Sequence, residues 1–201
     1  VVVATNGYTG RLLPWFARRI VPIESTMIAT EELSPELVAR LFPTDRVAGD
    51  TCRVVSYFRA SPDRKRILFG GRVLAEYLRP ETAATRLRRR LCRIFPELEG
   101  CRITHLWSGT VAWSFDELPH IGRYAGIWYA LGYCGSGIAL ASWLGMRLGQ
   151  KLLGRPAGDT PFDDLPHPSR PLYTGRPWFL PAVVGWYQLR DALDHWRAAR
   201  L

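Results

Sequence analysis

Three glycines, Gly132, Gly135 and Gly137, constrain this sequence more than any other feature. They follow the apolar run Ile127–Leu131 and precede an apolar segment that extends to Leu153. Glycine adopts positive φ readily and lets a ligand approach the backbone, and the first N–H groups of a helix favour negative charge in front of them. The pattern therefore predicts a strand, a glycine turn and a helix, an arrangement suited to hold a phosphate or the electron-rich edge of a ring.

The same stretch has an alternative interpretation as a membrane span. No charged residue lies between Arg123 and Arg147, which is long enough to cross a bilayer. However, four glycines fall between residues 126 and 137, where a span needs continuous helix. We therefore favour the strand, turn and helix.

Composition agrees with a globular chain. Hydrophobic residues make up 47% of the 201 residues, enough for one large or two small domains with a substantial core. The formal net charge of +9 comes almost wholly from arginine, since Lys65 and Lys151 are the only lysines. Arginines cluster at residues 86–93, which indicates either a solvated helix face or a nucleic-acid-binding patch.

The four cysteines give no sign of a metal site. Cys52, Cys92, Cys101 and Cys134 show no C-x-x-C spacing, and no histidines cluster near them. Zinc sites and disulfide frameworks have such spacing patterns. We therefore expect no bound metal, reduced thiols and a cytoplasmic location.

Periodicity and turn residues predict a mixture of strands and helices. Strands are expected at residues 1–5, 21–31, 53–59, 66–70, 102–114 and 127–131. Helices are expected at residues 9–19, 34–41, 81–95, 137–153 and 181–200. The two ends of this pattern, residues 1–10 and 127–153, are typical of one α/β layer into which the β-rich middle is inserted.

Four short motifs occur in an order that resembles one family. They are residues 1–7 (Val-Val-Val-Ala-Thr-Asn-Gly), residues 66–72 (Arg-Ile-Leu-Phe-Gly-Gly-Arg), residues 107–109 (Trp-Ser-Gly) followed by residues 116–122, and the glycine turn at residues 132–137. Together they resemble the C-terminal half of the FAD-dependent oxidoreductases of the D-amino-acid oxidase family. Residues 137–140 and 177–181 are similar to those of bacterial oxidases of γ-glutamylputrescine and related amines.

The resemblance implies a mixed α/β fold, in which the C-terminal part of a Rossmann-type FAD-binding domain carries an inserted antiparallel, β-rich substrate domain. The implied boundaries are residues 1–20 and 119–155 for the FAD-binding domain, 21–118 for the substrate-binding domain, and 156–201 for a C-terminal tail and helix. The implied activity is oxidation of the C–N bond of an amine or amino-acid-derived substrate by hydride transfer to FAD.

The resemblance also implies which residues bind the cofactor. The glycine turn matches the family's turn that places backbone N–H groups near the pyrimidine end of the flavin, and residues 107–109 match the segment that passes the flavin ring. The implied cofactor-binding residues are Gly7, Trp107, Gly109, Gly132, Tyr133, Gly135, Ser136, Gly137 and Ile138.

Substrate-binding candidates come from a predicted strand, where Tyr57 and Arg59 alternate with Phe58 and can both face a cavity. Arg59 is a candidate carboxylate clamp, with an ion pair elsewhere as the alternative. No catalytic residue is assigned, because an amine that binds in its neutral form needs no general base.

The sequence departs from the family pattern in what it lacks. The family begins with G-x-G-x-x-G and a later acidic residue, which hold the pyrophosphate and ribose of FAD, and no such motif occurs here in the required context. We therefore expect a fragment of a longer protein, which binds FAD weakly on its own. Sarcosine-oxidising members attach flavin to a cysteine that residues 109–113 lack, so noncovalent FAD is implied. Ala139 replaces their carboxylate-binding lysine, which argues against a simple N-methyl amino acid.

Several single residues have two interpretations. Trp107 either lines the flavin pocket or belongs to a strand core. His120 is expected to hydrogen-bond locally in a turn next to Pro119, and Asp116 is expected to cap that turn. Cys134 is either a small turn residue or a reactive thiol near a helix start.

The expected partner is a small-molecule amine, with no nucleic acid and no membrane, and homo-oligomer formation is left open. A FAD-dependent dehydrogenase that uses an acceptor other than oxygen is the alternative activity, and a basic nucleic-acid-binding module is a remote one. The aromatic helix at residues 181–200 is expected to dock on the substrate domain or on a second subunit. A membrane is less favoured, because Asp191 and Asp194 would be poorly placed against anionic lipid.

Overall fold

The computed structural model describes residues 1–10, 13–72, 80–163 and 165–198. Its strands are β1 (Val2–Val3), β2 (Ile20–Thr30), β3 (Ala48–Gly49), β4 (Ser56–Ala60), β5 (Ile67–Gly71), β6 (Ile103–Ser114), β7 (His120–Tyr124) and β8 (Ile127–Leu131). Its α-helices are α1 (Pro14–Ala17), α2 (Pro35–Leu41), α3 (Pro80–Ile94), α4 (Gly137–Leu152) and α5 (Leu180–Ala198).

The chain forms two compact units. The first contains Val1–Ile23 and Thr110–Trp178, and the second contains Glu24–Gly109 and Phe179–Leu201. This mixed α/β architecture, with a β-rich segment between two parts of an α/β unit, is the fold class predicted from the sequence. The four-part division of the chain drawn from the sequence stays a prediction.

The first unit is built on a three-stranded sheet in the order β1-β8-β7. β1 is parallel to β8 and β7 is antiparallel to it. Successive side chains of β8 point to opposite faces, and each face has its own core. Tyr129 and Leu131 pack with Phe16 of α1, whereas Ala130 packs with Leu144 of α4.

The hairpin of β7 and β8 was not predicted from the sequence. A two-residue turn joins the strands, and its residues Ala125 and Gly126 have φ values of 49° and 82°. Two positive φ values define the hairpin turn that matches strand twist, and Asn-Gly is its usual sequence signal. Ala-Gly lacks that signal, so the strand before it was missed.

The second unit is built on a five-stranded sheet in the order β3-β4-β5-β2-β6. The hairpin of β4 and β5 around residues 61–64 is as predicted, with Phe58 opposite Phe69. One face of the sheet carries the core, and α2 and α3 pack against it. The fully buried side chains of this core include Ile28, Val38, Ile67, Phe69, Leu87 and Leu91.

Helix α2 begins as its sequence predicts. The hydroxyl of Ser34 accepts a hydrogen bond from the N–H of Leu37 at 3.2 Å, and Pro35 is the first helical residue. This is the usual combination of an N-cap and a proline that has no N–H to leave unpaired.

Two arginines of the cluster on helix α3 form hydrogen bonds with backbone carbonyls of the second unit, to which the helix itself belongs. Arg88 Nε donates to the carbonyl of Cys101 at 3.2 Å, and Arg90 Nη1 donates to the carbonyl of Arg72 at 3.4 Å. Burial lowers the pKa of the Arg90 guanidinium. The cluster is therefore not one continuous basic surface, although Arg86 and Arg89 are exposed.

Helix α1 covers only Pro14–Ala17, so the helix expected at residues 9–19 is much shorter. Residues 11 and 12 of that prediction lie outside the described residues, as do the last residues of the predicted C-terminal helix. Within the described ranges, no helix is both long enough and apolar enough to cross a membrane. Residues 127–131 form strand β8 and helix α4 begins at Gly137, so residues 123–147 do not form one continuous helix.

Gly7 is expected to be irreplaceable for packing in the first unit. A Cβ at this position would lie 2.6 Å from the backbone oxygen of Thr110. We expect Gly7→Ala to lower the free energy of unfolding by roughly 1–3 kcal/mol, because the backbone must shift to relieve the overlap. Urea denaturation of the variant measures this difference.

The matched control is Gly145→Ala in α4, where a Cβ meets nothing within 4 Å. This change should raise the free energy of unfolding by about 0.5–1 kcal/mol, because alanine is the better helix residue. A Gly7→Ala protein as stable as the parent would contradict the close approach to Thr110.

Candidate functional site

The two glycine-containing turns of the first unit are joined by a hydrogen bond. The side-chain oxygen of Asn6 accepts from the backbone N–H of Gly132 at 3.0 Å. Asn6 and Gly132 have φ values of 44° and 80°, in the left-handed region that asparagine and glycine tolerate best. The structure therefore brings Gly7 and the turn at residues 132–137, both predicted from the sequence, to one place.

The start of α4 is open toward solvent. Ser136 is the N-cap but its side chain makes no capping hydrogen bond, and the first turn contains no acidic residue. The N–H groups of Gly137, Ile138 and Ala139 therefore lack intrahelical acceptors. The Ile138 side chain is 97% exposed. The turn thus presents free donors beside an apolar side chain, which suits a planar ligand with electron-rich atoms at its edge.

The side chains of two residues within the glycine turn form hydrogen bonds that stabilise it. Tyr133 is buried, and its hydroxyl donates to the carbonyl of Ala130 at 3.0 Å; burial raises the pKa of this hydroxyl. Cys134 has a φ of 50°, and its sulfur lies 3.3 Å from the hydroxyl of Ser114. These contacts favour the structural interpretation of Cys134, as a small residue that fits the turn.

His120 is deeply buried at the start of β7 rather than in a turn. Its Nε2 lies 3.0 Å from the Oδ1 atom of Asp116, which is the local hydrogen bond expected from the sequence. Asp116 Oδ1 also accepts from the N–H of Leu118 at 3.3 Å, so it caps the turn as expected. Burial alone would raise the pKa of Asp116, but the hydrogen bond and charge of His120 outweigh it and lower this pKa.

His167 stacks on His120, with ring centroids 3.8 Å apart and an angle of 11° between the planes. It is 9% exposed, and among the described residues neither ring nitrogen has a hydrogen-bond partner. Burial is the main cause that lowers the pKa of His167 from 6.5 to about 3, and the nearby His120 and Arg19 contribute in the same direction. No local sequence pattern predicted this pair, because its members lie 47 positions apart in the chain.

The five-stranded sheet of the second unit has one face that carries polar and aromatic side chains. Tyr57 lies opposite Gly70, which lies opposite Met27. A Cβ on Gly70 would lie 2.1 Å from the Met27 sulfur and 2.2 Å from the Tyr57 ring, so only glycine leaves room for both. The Tyr57 hydroxyl is hydrogen-bonded to the hydroxyl of Ser25. We call this set, Ser25, Met27, Tyr57 and Gly70, the Tyr57 face.

Trp107 belongs to the same side of the sheet. Its neighbour Ser108 is hydrogen-bonded to Thr26, which is buried on the opposite side. Alternation along β6 therefore turns Trp107 toward the Tyr57 face. The ring is 44% exposed, so its interpretation as a core residue is wrong. Gly109 follows two positions later on the same strand.

Arg59 follows Tyr57 by two positions and shares its side of β4. Its Nε donates to the carbonyl of Ala60 at 2.9 Å. An ion pair was the alternative to a role as carboxylate clamp, and Arg59 forms none within the part of the chain that the structure describes. Gly70 was noted from the sequence only as part of the motif at residues 66–72. Ser25 and Met27 were not singled out, because only the strand register places them beside Tyr57.

Comparison with known proteins identifies the family. A model of the family described as "FAD dependent oxidoreductase" (DAO) matches residues 1–151. The chain belongs to this family. The family resemblance predicted from the four motifs is thereby confirmed.

Two curated relatives are similar to most of the chain. "Probable oxidoreductase OrdL" of Rhizobium meliloti is 34% identical over 197 residues, which are 94% of this chain and 44% of that protein. "Gamma-glutamylputrescine oxidoreductase" of Escherichia coli is 31% identical over 198 residues, 96% of this chain and 46% of that protein. The chain thus spans less than half the length of these relatives.

Solved structures share the fold. Fructosyl peptide oxidase matches with a TM-score of 0.65 and 14% identity, over 88% of this chain and 47% of that one. Glycine oxidase from Geobacillus kaustophilus matches with a TM-score of 0.60 and 20% identity, over 85% and 45% of the two chains. At these identities the likeness concerns the fold alone.

The residues of the glycine turn fit a flavin, the group that defines the family. The pyrimidine end of a flavin carries oxygen and nitrogen atoms that accept hydrogen bonds. The start of α4 offers unpaired N–H donors and no carboxylate that would repel such atoms. The donor set of the turn is therefore complementary to the cofactor.

The buried histidine pair should make the first unit sensitive to acid. The pKa of His167 is about 3 in the folded protein and about 6.5 when unfolded, so the unfolded state binds more protons between these values. Stability should therefore fall as the pH drops below about 6.5, by up to about 1.4 kcal/mol per pH unit from this residue. Urea denaturation at several pH values between about 7 and about 5 measures the slope.

His167→Phe keeps an aromatic ring on His120 but removes the titrating group, so the variant should have a shallower slope than the parent. His105→Gln changes an exposed histidine and serves as the control, whose slope should match that of the parent. An unchanged slope in His167→Phe would show that His167 is not held in its neutral form by burial.

Proposed function

We propose that this chain is the C-terminal half of a flavin-dependent amine oxidoreductase, which oxidises the C–N bond of a small amine or amino-acid-derived substrate. The observation that carries the proposal is the turn at residues 132–137, which is tied to Asn6 and presents the uncapped start of α4. When bound, FAD supplies the acceptor for the hydride that leaves the carbon next to the substrate nitrogen. The residues of this chain bind and orient both molecules.

The flavin contacts are assigned to the glycine turn and the start of α4. The N–H groups of Gly137 and Ile138 would donate to acceptor atoms of a bound flavin, and Gly135, with a φ of 95°, keeps the backbone free of a side chain there. The dipole of α4 favours negative charge in front of the helix. Gly7, Trp107 and Gly109 are proposed to contribute on the strength of the family resemblance, as are the backbones of Gly132, Tyr133 and Ser136.

The flavin is proposed to bind without a covalent link. Residues 109–113, where some members of the family carry the attaching cysteine, contain none. The nearby Cys134 sulfur is engaged with Ser114, and the N–H of Cys134 donates to the carbonyl of Ala112 at 3.0 Å. The sulfur also donates to the carbonyl of Gly132 at 3.2 Å, so the thiol is engaged within the turn.

The substrate is proposed to contact the Tyr57 face. The Tyr57 ring and the Met27 thioether of this face suit the carbon chain of an amine. The hydroxyls of Ser25 and Tyr57 lie beside them and can form hydrogen bonds with a polar group. Arg59, two positions from Tyr57, is the proposed partner for a carboxylate on the substrate. No general base is assigned, because a neutral amine presents its nitrogen lone pair without one.

The substrate class is proposed to be γ-glutamylated or otherwise N-substituted amines. The Escherichia coli relative is named for such a substrate. Ala139 stands where a lysine would pair with the carboxylate of a simple N-methyl amino acid, so that class is not favoured. We propose no nucleic-acid partner, since Arg88 and Arg90 of the arginine cluster donate to backbone carbonyls of the second unit.

A cytoplasmic location is also proposed. All four cysteines are free thiols in the described chain. Structural thiols stay reduced in the cytoplasm, whereas exported proteins tend to pair them.

The full-length gene product tests the proposal. It should purify with the visible absorbance bands of a flavin, and these should bleach without oxygen when a γ-glutamylated polyamine or an N-substituted amino acid is added. Oxygen consumption compared with reduction of an artificial dye then separates an oxidase from a dehydrogenase. A protein without flavin bands, even after FAD is supplied, rules the function out.

The position of the flavin is tested by Ile138→Glu. A carboxylate at the start of α4 should lower the affinity for FAD by about tenfold, because it faces the electron-rich edge of the ligand. The same change should leave the melting temperature of the FAD-free protein unchanged or raise it, since an acidic first turn stabilises a helix. FAD titration and thermal denaturation measure the two effects separately.

Met146→Glu is the matched control, because Met146 is exposed on the same helix but more than two turns beyond its start. Its FAD affinity should equal that of the parent. Equal FAD affinity in the Ile138→Glu protein would remove the start of α4 from the flavin site.

A further inference from the structure

His120 is buried beside the glycine turn, and the proposed function gives it no role. It is 1% exposed at the start of β7, and its Nε2 atom lies 3.0 Å from Asp116 Oδ1. The pKa of Asp116 is lowered despite its burial, so this carboxylate is ionised at neutral pH and can only accept. His120 therefore donates its Nε2 proton. Among the described residues, this is the single hydrogen bond of the His120 side chain, since its Nδ1 atom has no partner there.

The residues that follow β6 form a loop, residues 115–119, which we call the Asp116 loop. Both polar groups of the Leu118 backbone are held in it. Asp116 Oδ1 accepts from the N–H of Leu118 at 3.3 Å, and the carbonyl of Leu118 accepts from the Ser114 hydroxyl at 2.8 Å. Glu117 has a φ of 61°, a conformation that is unfavourable for a residue with a side chain. The hydrogen bonds of Asp116 and Ser114 therefore stabilise a strained loop.

The Asp116 loop packs directly against the glycine turn. A Cβ at Gly132 would lie 3.6 Å from the carbonyl oxygen of Leu118 and 3.8 Å from His120 Cδ2. The backbone N–H of Ser114 donates to the sulfur of Cys134 at 3.4 Å. A continuous set of hydrogen bonds thus runs from His120 through the Asp116 loop and Ser114 to Cys134, which lies two positions before the N-cap of α4.

His167 fixes the orientation of the His120 ring. The two rings stack with centroids 3.8 Å apart and planes at 11° to each other. The backbone of His167 is itself held, because its carbonyl accepts from Arg19 Nε at 2.9 Å. Tyr173 ties the same segment to the start of β2, where its hydroxyl donates to the carbonyl of Ile20 at 2.6 Å. The stack therefore restrains a rotation of the His120 ring that would move Nε2 away from its acceptor.

We propose that His120 is a positioning residue for the flavin, which acts through the Asp116 loop on the backbone of the glycine turn. The N–H groups of Gly137 and Ile138 are effective donors only if the turn before them is fixed, because hydrogen bonds weaken steeply with misalignment. A turn that is ordered before the ligand arrives also lowers the entropic cost of binding. These donors belong to a cofactor site only under the function proposed above, so the role of His120 rests on that function.

His120→Phe in the full-length gene product tests this role. Phenylalanine keeps a ring in the stack with His167 but cannot donate to Asp116, so the dissociation constant for FAD should rise by about tenfold. His120→Gln keeps a nitrogen donor near the position of Nε2 and should restore most of the affinity. FAD titration at a temperature well below the melting temperature of every variant measures both effects.

Asp116→Ala removes the other partner of the hydrogen bond, from a side chain that is 28% exposed and so less demanding for folding. His120→Phe combined with Asp116→Ala should bind FAD as tightly as Asp116→Ala alone, since both changes break one link. Losses that multiply in the double variant would show that His120 does not act through Asp116 and would overturn the proposal.

Hydrogen exchange separates positioning from a general loss of stability. In the FAD-free protein, His120→Phe should speed amide exchange in the Asp116 loop and at residues 132–137, because both segments lose a restraint. Leu148→Val is the matched control, since it trims a buried side chain about three turns beyond the start of α4. It should lower the melting temperature and leave FAD affinity and exchange at residues 132–137 as in the parent.

The outcomes distinguish the role of His120 from the proposed function. A His120→Phe protein that binds FAD as tightly as the parent would overturn the role and leave the function intact. An equal loss of affinity in Leu148→Val would overturn it as well, because affinity would then follow stability alone. A parent protein that binds no FAD contradicts the proposed function, and the role of His120 falls with it.

Discussion

The hydrogen bond from the Gly132 N–H to the Asn6 side chain is the interaction on which the candidate cofactor site depends. It joins two turns that lie 126 positions apart in the chain. Gly7, next to Asn6, approaches the backbone of Thr110 so closely that a Cβ would overlap it, and Cys134 donates its N–H to the carbonyl of Ala112. Three distant segments thus meet at backbone distance, and this meeting fixes the turn that leaves the start of α4 open.

A similar close approach organises the second unit, where Gly70 has no side chain and so leaves room for two neighbouring side chains. The ring of Tyr57 and the sulfur of Met27 occupy the space above it on neighbouring strands, and the hydroxyl of Tyr57 meets Ser25. The opposite face of the same sheet is filled by an apolar core under α2 and α3. One side of the sheet therefore provides stability, and the other carries the side chains that we propose for substrate binding.

Much of the fold could be predicted from local sequence patterns. α2 follows from its N-cap and proline, and the β4–β5 hairpin follows from two apolar runs around a turn-forming segment, because these signals act between near neighbours. β7 was missed because Ala125-Gly126 is an unusual pair for its turn. The candidate site was predicted in part: Gly7 and residues 132–137 stand out as glycine turns, whereas nothing local marks Ser25, Met27 or His167.

The sequence by itself determined most of the order of strands and helices, the glycine turn and the family, because each rests on periodicity or on residue types at short spacing. Only the tertiary structure decided that His120 stacks on His167, and that Tyr57 lies over Gly70. It also decided which face of α5 is turned inward, since Arg53 reaches Asp191 and Asp194 across more than a hundred residues of chain. Such pairings depend on strand register and packing between distant segments, which local patterns do not encode.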